Sequence, residues 1–320
     1  MNLSLLLENL TNPALLFFAL GILANFLKSD LMIPENSAKF IAIYLLFAIG
    51  FKGGHELAHS ELNLDVLYTF VFAILTAFII PIYLFFILRW KYSVPNAVAI
   101  ASSYGSVSAV TFVTAISFLE LKSIEFGGHM VAVMAVMEVP AIIIGLFLLN
   151  KFTPSNVSSF SMSNVVKHSI TNGSVLLILG SLVAGYLAND TQADEIKPFT
   201  TDIFKGFLAI FLLDMGIACG KKLNDFFKKG WTSVMLAILF PLINGVITAW
   251  LSCFIIEDDG NRFILAVLVS SASYIAVPAA MKMAAPQANP GIYVPMALAI
   301  TFPFNITLGM PIYYNIILLC

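Results

Sequence analysis

Charge is scarce in this chain. Of 320 residues, 16 are Lys or Arg and 18 are Asp or Glu, for a net charge of −2. No basic stripe is available for nucleic acid. Cysteine is nearly absent. Cys219, Cys253 and Cys320 sit in or beside apolar runs without metal or redox spacing, and all three are expected to be free thiols. The Walker phosphate-binding pattern and GxSxG are missing, so this chain is not expected to drive transport with ATP. No nucleophile–base pair at usable spacing points to an enzyme, and no cofactor is expected. The opening MNLSLLLENL has no basic region and no small-residue cleavage site, so no signal peptide is expected. His55, His59, His129 and His168 lie near segment ends or in loops and are not expected to act as ligands.

What is present is apolar surface. Hydrophobic residues make up 60% of the chain and the mean hydropathy is +0.95. Near-continuous apolar runs of about 20 residues match the thickness of a bilayer. Ten such segments lie near 13–28, 36–52, 65–88, 95–118, 128–150, 173–188, 199–219, 231–255, 262–281 and 291–319. Asn12-Pro13, Ser93 and Val94-Pro95 open helices, while Lys52-Gly53-Gly54 and Gly127-Gly128 mark chain reversals. Trp90, Trp231 and Trp250 fall near segment ends, where aromatic belts sit. The expected fold is an all-α polytopic membrane protein with ten transmembrane helices.

A Ser- and Asn-rich connection at 151–172 separates an N-terminal half, 1–150, from a C-terminal half, 173–320. The halves echo one another. Ala42-Ile43-Tyr44-Leu45-Leu46 matches Ala209-Ile210-Phe211-Leu212-Leu213, followed by Gly50/Gly54 and Gly216/Gly220. Leu20-Gly21 matches Leu179-Gly180, and Gly128, Val131 and Pro140 match Gly291, Val294 and Pro303. Five spans per half would place the two repeats in opposite orientations. With both termini outside, 11 of the 16 basic residues flank the inner side; Lys52, Lys122, Lys197, Lys205 and Arg262 lie outside. That bias favours a plasma-membrane protein with its termini on the outer side.

Two segments carry too many hydroxyls for plain spans. AVAIASSYGSVSAVTFVTA at 97–115 holds Ser102, Ser103, Ser106, Ser108, Thr111 and Thr114 around Gly105. AVLVSSASYIAVPAAM at 266–281 holds Ser270, Ser271 and Ser273, with Pro278 mid-run. Interrupted helices in corresponding places of two halves point to a transporter binding site. Pro278 would free the carbonyl of Tyr274, and Gly105 is the matching weak point. Exposed N–H groups at one half-helix suit a small anion, and exposed carbonyls at the other suit a small cation. The hydroxyls of Ser106, Ser108, Ser270, Ser271 and Ser273 serve either. The same stretches also read as packing stripes, through Ala101, Gly105 and Ala109 and through Ala272, Ala276 and Ala280.

Glu138 and Asp214 lie inside spans. A carboxylate at that depth costs about 2.5–3.5 kcal/mol on insertion scales. Glu138 reads as a sodium ligand, a proton-coupling group or a protonated acid bonded to a neighbouring helix. Thr301 holds its position in the second half. Asp214 reads as structural or as part of a domain seam. Asn244 and Asn305 read as interhelical hydrogen-bond residues.

These residues resemble a known family. IYLLFAIGFKGG at 43–54, YGSVSAVTFVTAISFLE at 104–120, Glu138-Val139-Pro140-Ala141 and SSASYIAVPAAMKMAAPQANPGIY at 270–293 look like the sodium-dependent bicarbonate transporters of the cyanobacterial type (SbtA-like permeases). The resemblance implies two inverted five-helix repeats with helices 4 and 9 interrupted, an elevator-type core domain moving against a gate domain, and a homotrimer. It implies sodium symport of bicarbonate, and a PII-like regulatory protein on the cytoplasmic face. The implied anion site comprises Gly105, Ser106, Ser108, Ala109, Ser273 and Tyr274, with backbone near Val277. The implied sodium site comprises Ser108, Thr111, Ser270, Ser271, Tyr274 and Glu138. Tyr274 and Glu138 stand where that family pattern has aspartates. Another small anion, proton coupling through Glu138, and a non-transporting anion sensor are the alternatives.

Overall fold

The computed structural model describes residues 11–59, 63–153, 167, 171, 173–227 and 230–320. Most of the 151–172 connection, Lys228, Lys229, His168 and the opening MNLSLLLENL lie outside the described residues. Within them the structure is helical, with no strand. In chain order the helices are α1 (Pro13–Phe26), α2 (Glu35–Ala58), α3 (Leu64–Leu88), α4 (Val94–Gly105), α5 (Ala109–Leu121) and α6 (His129–Phe152). They continue as α7 (Gly173–Leu187), α8 (Asp190–Lys197), α9 (Phe204–Phe227), α10 (Trp231–Ser252), α11 (Asp259–Ser270) and α12 (Ala276–Ala284). A final segment, α13 (Pro290–Ile317), contains π turns at Met296–Thr301 and Asn305–Gly309.

Local chemistry sets the boundaries. Asn12 accepts from Ala14 N at 3.0 Å with Pro13 at the first helical position. Asn63 accepts from Val66 N at 3.1 Å, Asp258 from Asn261 N at 2.7 Å, and Asn289 from Gly291 N at 2.9 Å ahead of Pro290. Each satisfies an N–H that a helix start leaves without a partner.

Seven helical stretches are long and apolar enough to cross a membrane, and α1 and α7 are shorter apolar helices. Large apolar side chains exposed on the outer helices explain the composition. On α3 they are Leu64, Leu67, Val71, Leu75, Ile79, Ile82 and Phe86; on α10 they are Met235, Leu239, Ile243 and Ile247 between Trp231 and Trp250. Steps of three and four residues put each set on one helix face. In water such stripes would be a large unfavourable surface; against lipid tails they are the normal exterior. Trp231 and Trp250 are about 28 Å apart along α10 at 1.5 Å per residue, close to the hydrocarbon thickness. The chain is a multi-pass membrane protein.

The inside is built from the hydroxyl-rich segments. Nearly every side chain of α4, α5 and α11 is buried. Phe118 of α5 stacks on Phe263 of α11 with ring centroids 4.9 Å apart, and both rings meet Tyr314 edge-on. Around this core, α1 lies along α9 and α2 along α7. Small residues set these crossings. A Cβ on Gly216 would meet Phe18 O at 2.1 Å, and one on Gly50 would meet Ser181 Cβ at 2.7 Å. Gly180, matched to Gly21 in the sequence, has nothing within 4 Å of its would-be Cβ. Ser181 takes that role one residue later.

One cysteine expectation is corrected. Cys253, just past α10, and Cys320 form a disulfide with Cα atoms 6.0 Å apart. They are 67 residues apart in sequence, a spacing that carries no motif, and only the folding back of α13 onto α10 and α11 brings them together. Cys219 is free and buried, with its Sγ 3.6 Å from Ala299 O.

Candidate functional site: two helix breaks around a small cavity

Both hydroxyl-rich segments are broken helices. The first ends at Gly105, runs extended through Ser106 to Ser108, and restarts at Ala109. The second ends at Ser270 and restarts at Ala276. The second break therefore lies ahead of Pro278, not at it. Pro278 sits in the first turn of α12, where a missing N–H removes no helical bond. What stops α11 is a competing set of bonds. Ser273 N donates to Ser103 O across the molecule at 2.8 Å. Ser271 Oγ accepts from Ser108 N at 2.9 Å while donating to Leu268 O at 2.7 Å. Each break thus satisfies backbone groups of the other.

Glycine at 105 has a packing reason. A Cβ there would lie 2.1 Å from Pro81 Cγ and 3.2 Å from Ala141 Cβ. The end of α4 is therefore pressed against α3 and α6, and the chain after it is pushed towards α11.

The two restarts point their N-termini into one space. Ser108 caps α5 by accepting from Thr111 N at 3.2 Å. Ser273 performs the same service for α12, accepting from Val277 N at 3.2 Å. The N–H groups of Ala109, Val110 and Ala276 have no carbonyl to reach within their own helices. The partial positive charge of two helix starts is therefore focused on one place. That place is a cavity of about 80 Å³ lined by Ser108, Ala109 and Val110 on one arm and by Ser273, Tyr274, Ile275 and Ala276 on the other. Glu138 of α6 completes the polar lining, with Ser174 of α7. The rest of the wall is apolar, with Leu45, Leu46, Ile178 and Phe211 of α2, α7 and α9 facing Val113, Met134 and Ala135 of α5 and α6. One water needs about 10–15 Å³ measured this way, so the cavity holds a few small molecules' worth of atoms. It excludes anything of drug or nucleotide size.

The residues singled out from sequence are placed as follows. Ser108, Ala109, Ser273, Tyr274 and Glu138 line the cavity; Gly105, Ser106, Thr111, Ser270 and Ser271 are not in its lining. Ser106 is buried, and its Oγ has no partner among the described residues. Ser270 Oγ donates to Val267 O at 3.0 Å and its carbonyl accepts from Asn305 Nδ2 at 2.9 Å. Thr111 contributes its N–H to the Ser108 cap. The Tyr274 hydroxyl reaches towards Met215 Sδ at 3.9 Å. Thr301 lies elsewhere, donating to Ala237 O at 2.6 Å and bonded to the Tyr104 hydroxyl at 2.7 Å. Asp214 is half-buried on α9 and outside the cavity lining.

Sequence reasoning missed a second, larger cavity of about 870 Å³. It uses the same helices one to two turns further along, with Ile49, Lys52 and Glu56 of α2, Ile116 and Glu120 of α5 and Val131 of α6. Lys52 and Lys205 both pair with Glu120, at 3.6 and 3.2 Å. Glu56, Glu125 and Asp202 add carboxylates to its wall, so the lysines are outnumbered. The signal in sequence was a cluster of charges at segment ends, which reads like any solvated helix terminus.

Fold and site together define a polytopic membrane protein of the transporter kind, with two interrupted helices meeting at a small polar cavity. A sequence model of the Na+-dependent bicarbonate transporter superfamily matches residues 13–318, nearly the whole chain, and the protein belongs to that family. The comparison with curated proteins returned no match.

Proposed function

We propose that this protein is a secondary active transporter that imports a small monovalent anion, bicarbonate, together with Na+ across the plasma membrane. The observation that carries the reading is the cavity where the starts of α5 and α12 converge beside Ser108, Ser273 and Glu138. Two helix N-termini favour an anion. The Ser108 and Ser273 hydroxyls, the Glu138 carboxylate and nearby carbonyls supply hard oxygens of the kind Na+ takes. With both bound, each offsets the other's charge, so each raises the other's affinity by linkage.

The energetics favour a coupled cation. Drawing one anion into a cell at −100 mV costs about 2.3 kcal/mol. One co-transported Na+ cancels that cost, and a tenfold sodium gradient then supports about tenfold accumulation.

The same reading takes the chain as ten spans in two inverted halves. The crossing of α1 with α9 at Gly21 and Gly216, and of α2 with α7 at Gly50 and Ser181, supports it, since inverted halves exchange partners in this reciprocal way. The cavity lies on a seam. One wall, from α2, α7 and α9, would be the gate; the other, from α5, α6 and residues 273–276, would belong to an elevator core. The larger cavity on that seam would be the outer vestibule, its excess carboxylates attracting Na+. An outer position for the Cys253–Cys320 bridge agrees with where disulfides persist. A homotrimer is carried by the family resemblance.

The test is sodium-gradient-driven uptake into proteoliposomes across a panel of small anions. Bicarbonate accumulation that vanishes when choline replaces sodium is the expected result. Accumulation of acetate-sized anions in preference to bicarbonate would reassign the substrate. Anion binding without turnover would make the protein a sensor.

A further inference from the structure

Away from the cavity, three potential metal ligands converge at the junction of α2 and α8. His55 lies in the last turn of α2 and His59 is the residue that caps its end, four positions on, so the two rings are neighbours. Their centroids are 4.7 Å apart. The Nε2 atoms of His55 and His59 lie 3.3 and 3.2 Å from Asp190 Oδ1. All three ligand atoms fall within 4.8 Å of one another. With metal–ligand bonds of about 2.0–2.1 Å, the edge of a tetrahedral site is roughly 3.3–3.4 Å. The two short edges match that length.

The group is built from both sides. Gly54 and Gly185 bring α2 and α7 into backbone contact. A Cβ on Gly54 would meet Leu182 O at 1.9 Å, and one on Gly185 would meet Phe51 O at 2.0 Å. That approach sets the short turn after α7 over the two histidines. A capping box then fixes the start of α8, with Asn189 Oδ1 accepting from Gln192 N at 2.9 Å and Gln192 Oε1 accepting from Asn189 N at 3.1 Å. Asp190 is the first residue of that helix, so the capping box fixes the backbone from which its carboxylate reaches the histidines.

The proton arrangement also suits a metal. His59 Nδ1 is 2.9 Å from His55 O, so it carries the proton and donates. That leaves Nε2, on the Asp190 side, as the ring's ligand atom. Holding one ring nitrogen to a backbone carbonyl is how metal-bound imidazoles are oriented. His55 Nε2 is buried and has no hydrogen-bond partner among the described residues. A cation bridging His55 Nε2, His59 Nε2 and the Asp190 carboxylate would satisfy all three atoms at once.

We propose that His55, His59 and Asp190 bind one divalent transition-metal ion, Zn2+ or a similar borderline ion, with water in the remaining position. Two imidazoles and a carboxylate suit such ions better than Ca2+ or Mg2+, which prefer all-oxygen sites. The ion would clasp α8 to α2 at the rim of the larger cavity, to which His59 contributes. The proposal does not depend on the transported substrate.

The test uses purified, untagged full-length protein, stripped with chelator and titrated with Zn2+ by calorimetry. Co2+ uptake is followed in parallel by its visible absorption. One Zn2+ per chain with micromolar or tighter affinity is expected, and tetrahedral-type Co2+ bands. His59→Gln and Asp190→Asn should each weaken binding by at least about 100-fold, while Asp194→Asn on the same helix should not. Thermal unfolding without metal checks that each variant is folded, and Zn2+ should raise the midpoint of the wild type and of Asp194→Asn but not of His59→Gln or Asp190→Asn. A wild-type chain that takes up no Zn2+ below millimolar concentration overturns the proposal. So does unchanged affinity in either ligand variant.

Discussion

Ser108 serves both arms of the site. Its hydroxyl caps α5, its N–H binds Ser271, and its side chain faces the cavity. Replacing it with alanine removes a cap, a change of about 1 kcal/mol in stability. If the hydroxyl also touches substrate, the loss in uptake will exceed what stability explains. Ser108→Ala is therefore expected to cut sodium-driven uptake at least tenfold with only a small shift in the unfolding midpoint. Ser103→Ala is the comparison, because its hydroxyl donates to Ala99 O at 2.9 Å on its own helix and lies outside the lining. Glu138 separates two coupling schemes. In a sodium cycle Glu138→Gln keeps an oxygen ligand and loses a charge, so the sodium concentration for half-maximal uptake rises. In a proton cycle the same variant abolishes uptake at every sodium concentration. Uptake measured against sodium at fixed pH distinguishes the two.

At the scale of elements, the breaks are held open by what packs behind them. Gly105 lies against Pro81, and a methyl group there cannot be fitted without moving α3 from α4. Gly105→Ala is expected to destabilise by about 1–3 kcal/mol, the usual cost of overpacking, read as a lower unfolding midpoint in detergent. Gly216→Val acts on a different seam. Its Cβ would strike Phe18 O, so it should part α1 from α9 while leaving α4, α5 and α11 intact. Anion binding should then survive better than uptake, because the site's own hydrogen bonds are untouched.

For the whole molecule, the Cys253–Cys320 bridge ties the last residue of the sequence to the end of α10. Closing a loop of that length stabilises by about 2–4 kcal/mol in water-soluble chains, and by less where the unfolded chain is confined by lipid. Cys253→Ser should lower the unfolding midpoint. Reductant should bring the wild type to the same value and leave the variant unchanged. Arg262 stands beside this bridge, contacting Cys253 Sγ and pairing with Asp259 at 2.7 Å. The buried guanidinium is thereby paired with a carboxylate.

The sequence by itself determined what is local. Apolar run length set the spans, and asparagine, aspartate and proline set the helix starts. The excess of serine marked the two segments that break, and the near-complete family match follows from the same residues. Contacts between distant residues were decided only by the tertiary structure. Ser106 and Ser108 are two residues apart, yet only Ser108 lines the cavity: Ser106 closes the end of α4, its N–H bonded to Ser102 O, while Ser108 caps the start of α5. Pro278 marked the right segment but not the break, since the hydrogen bonds that end α11 come from Ser103 and Ser108 on the other arm. Cys253 met Cys320, and His55 and His59 met Asp190, through the packing of helices whose order in space no periodicity encodes. Hydropathy and capping act over one or two turns, whereas the partners of a buried polar group are fixed by how closely glycines let whole helices approach.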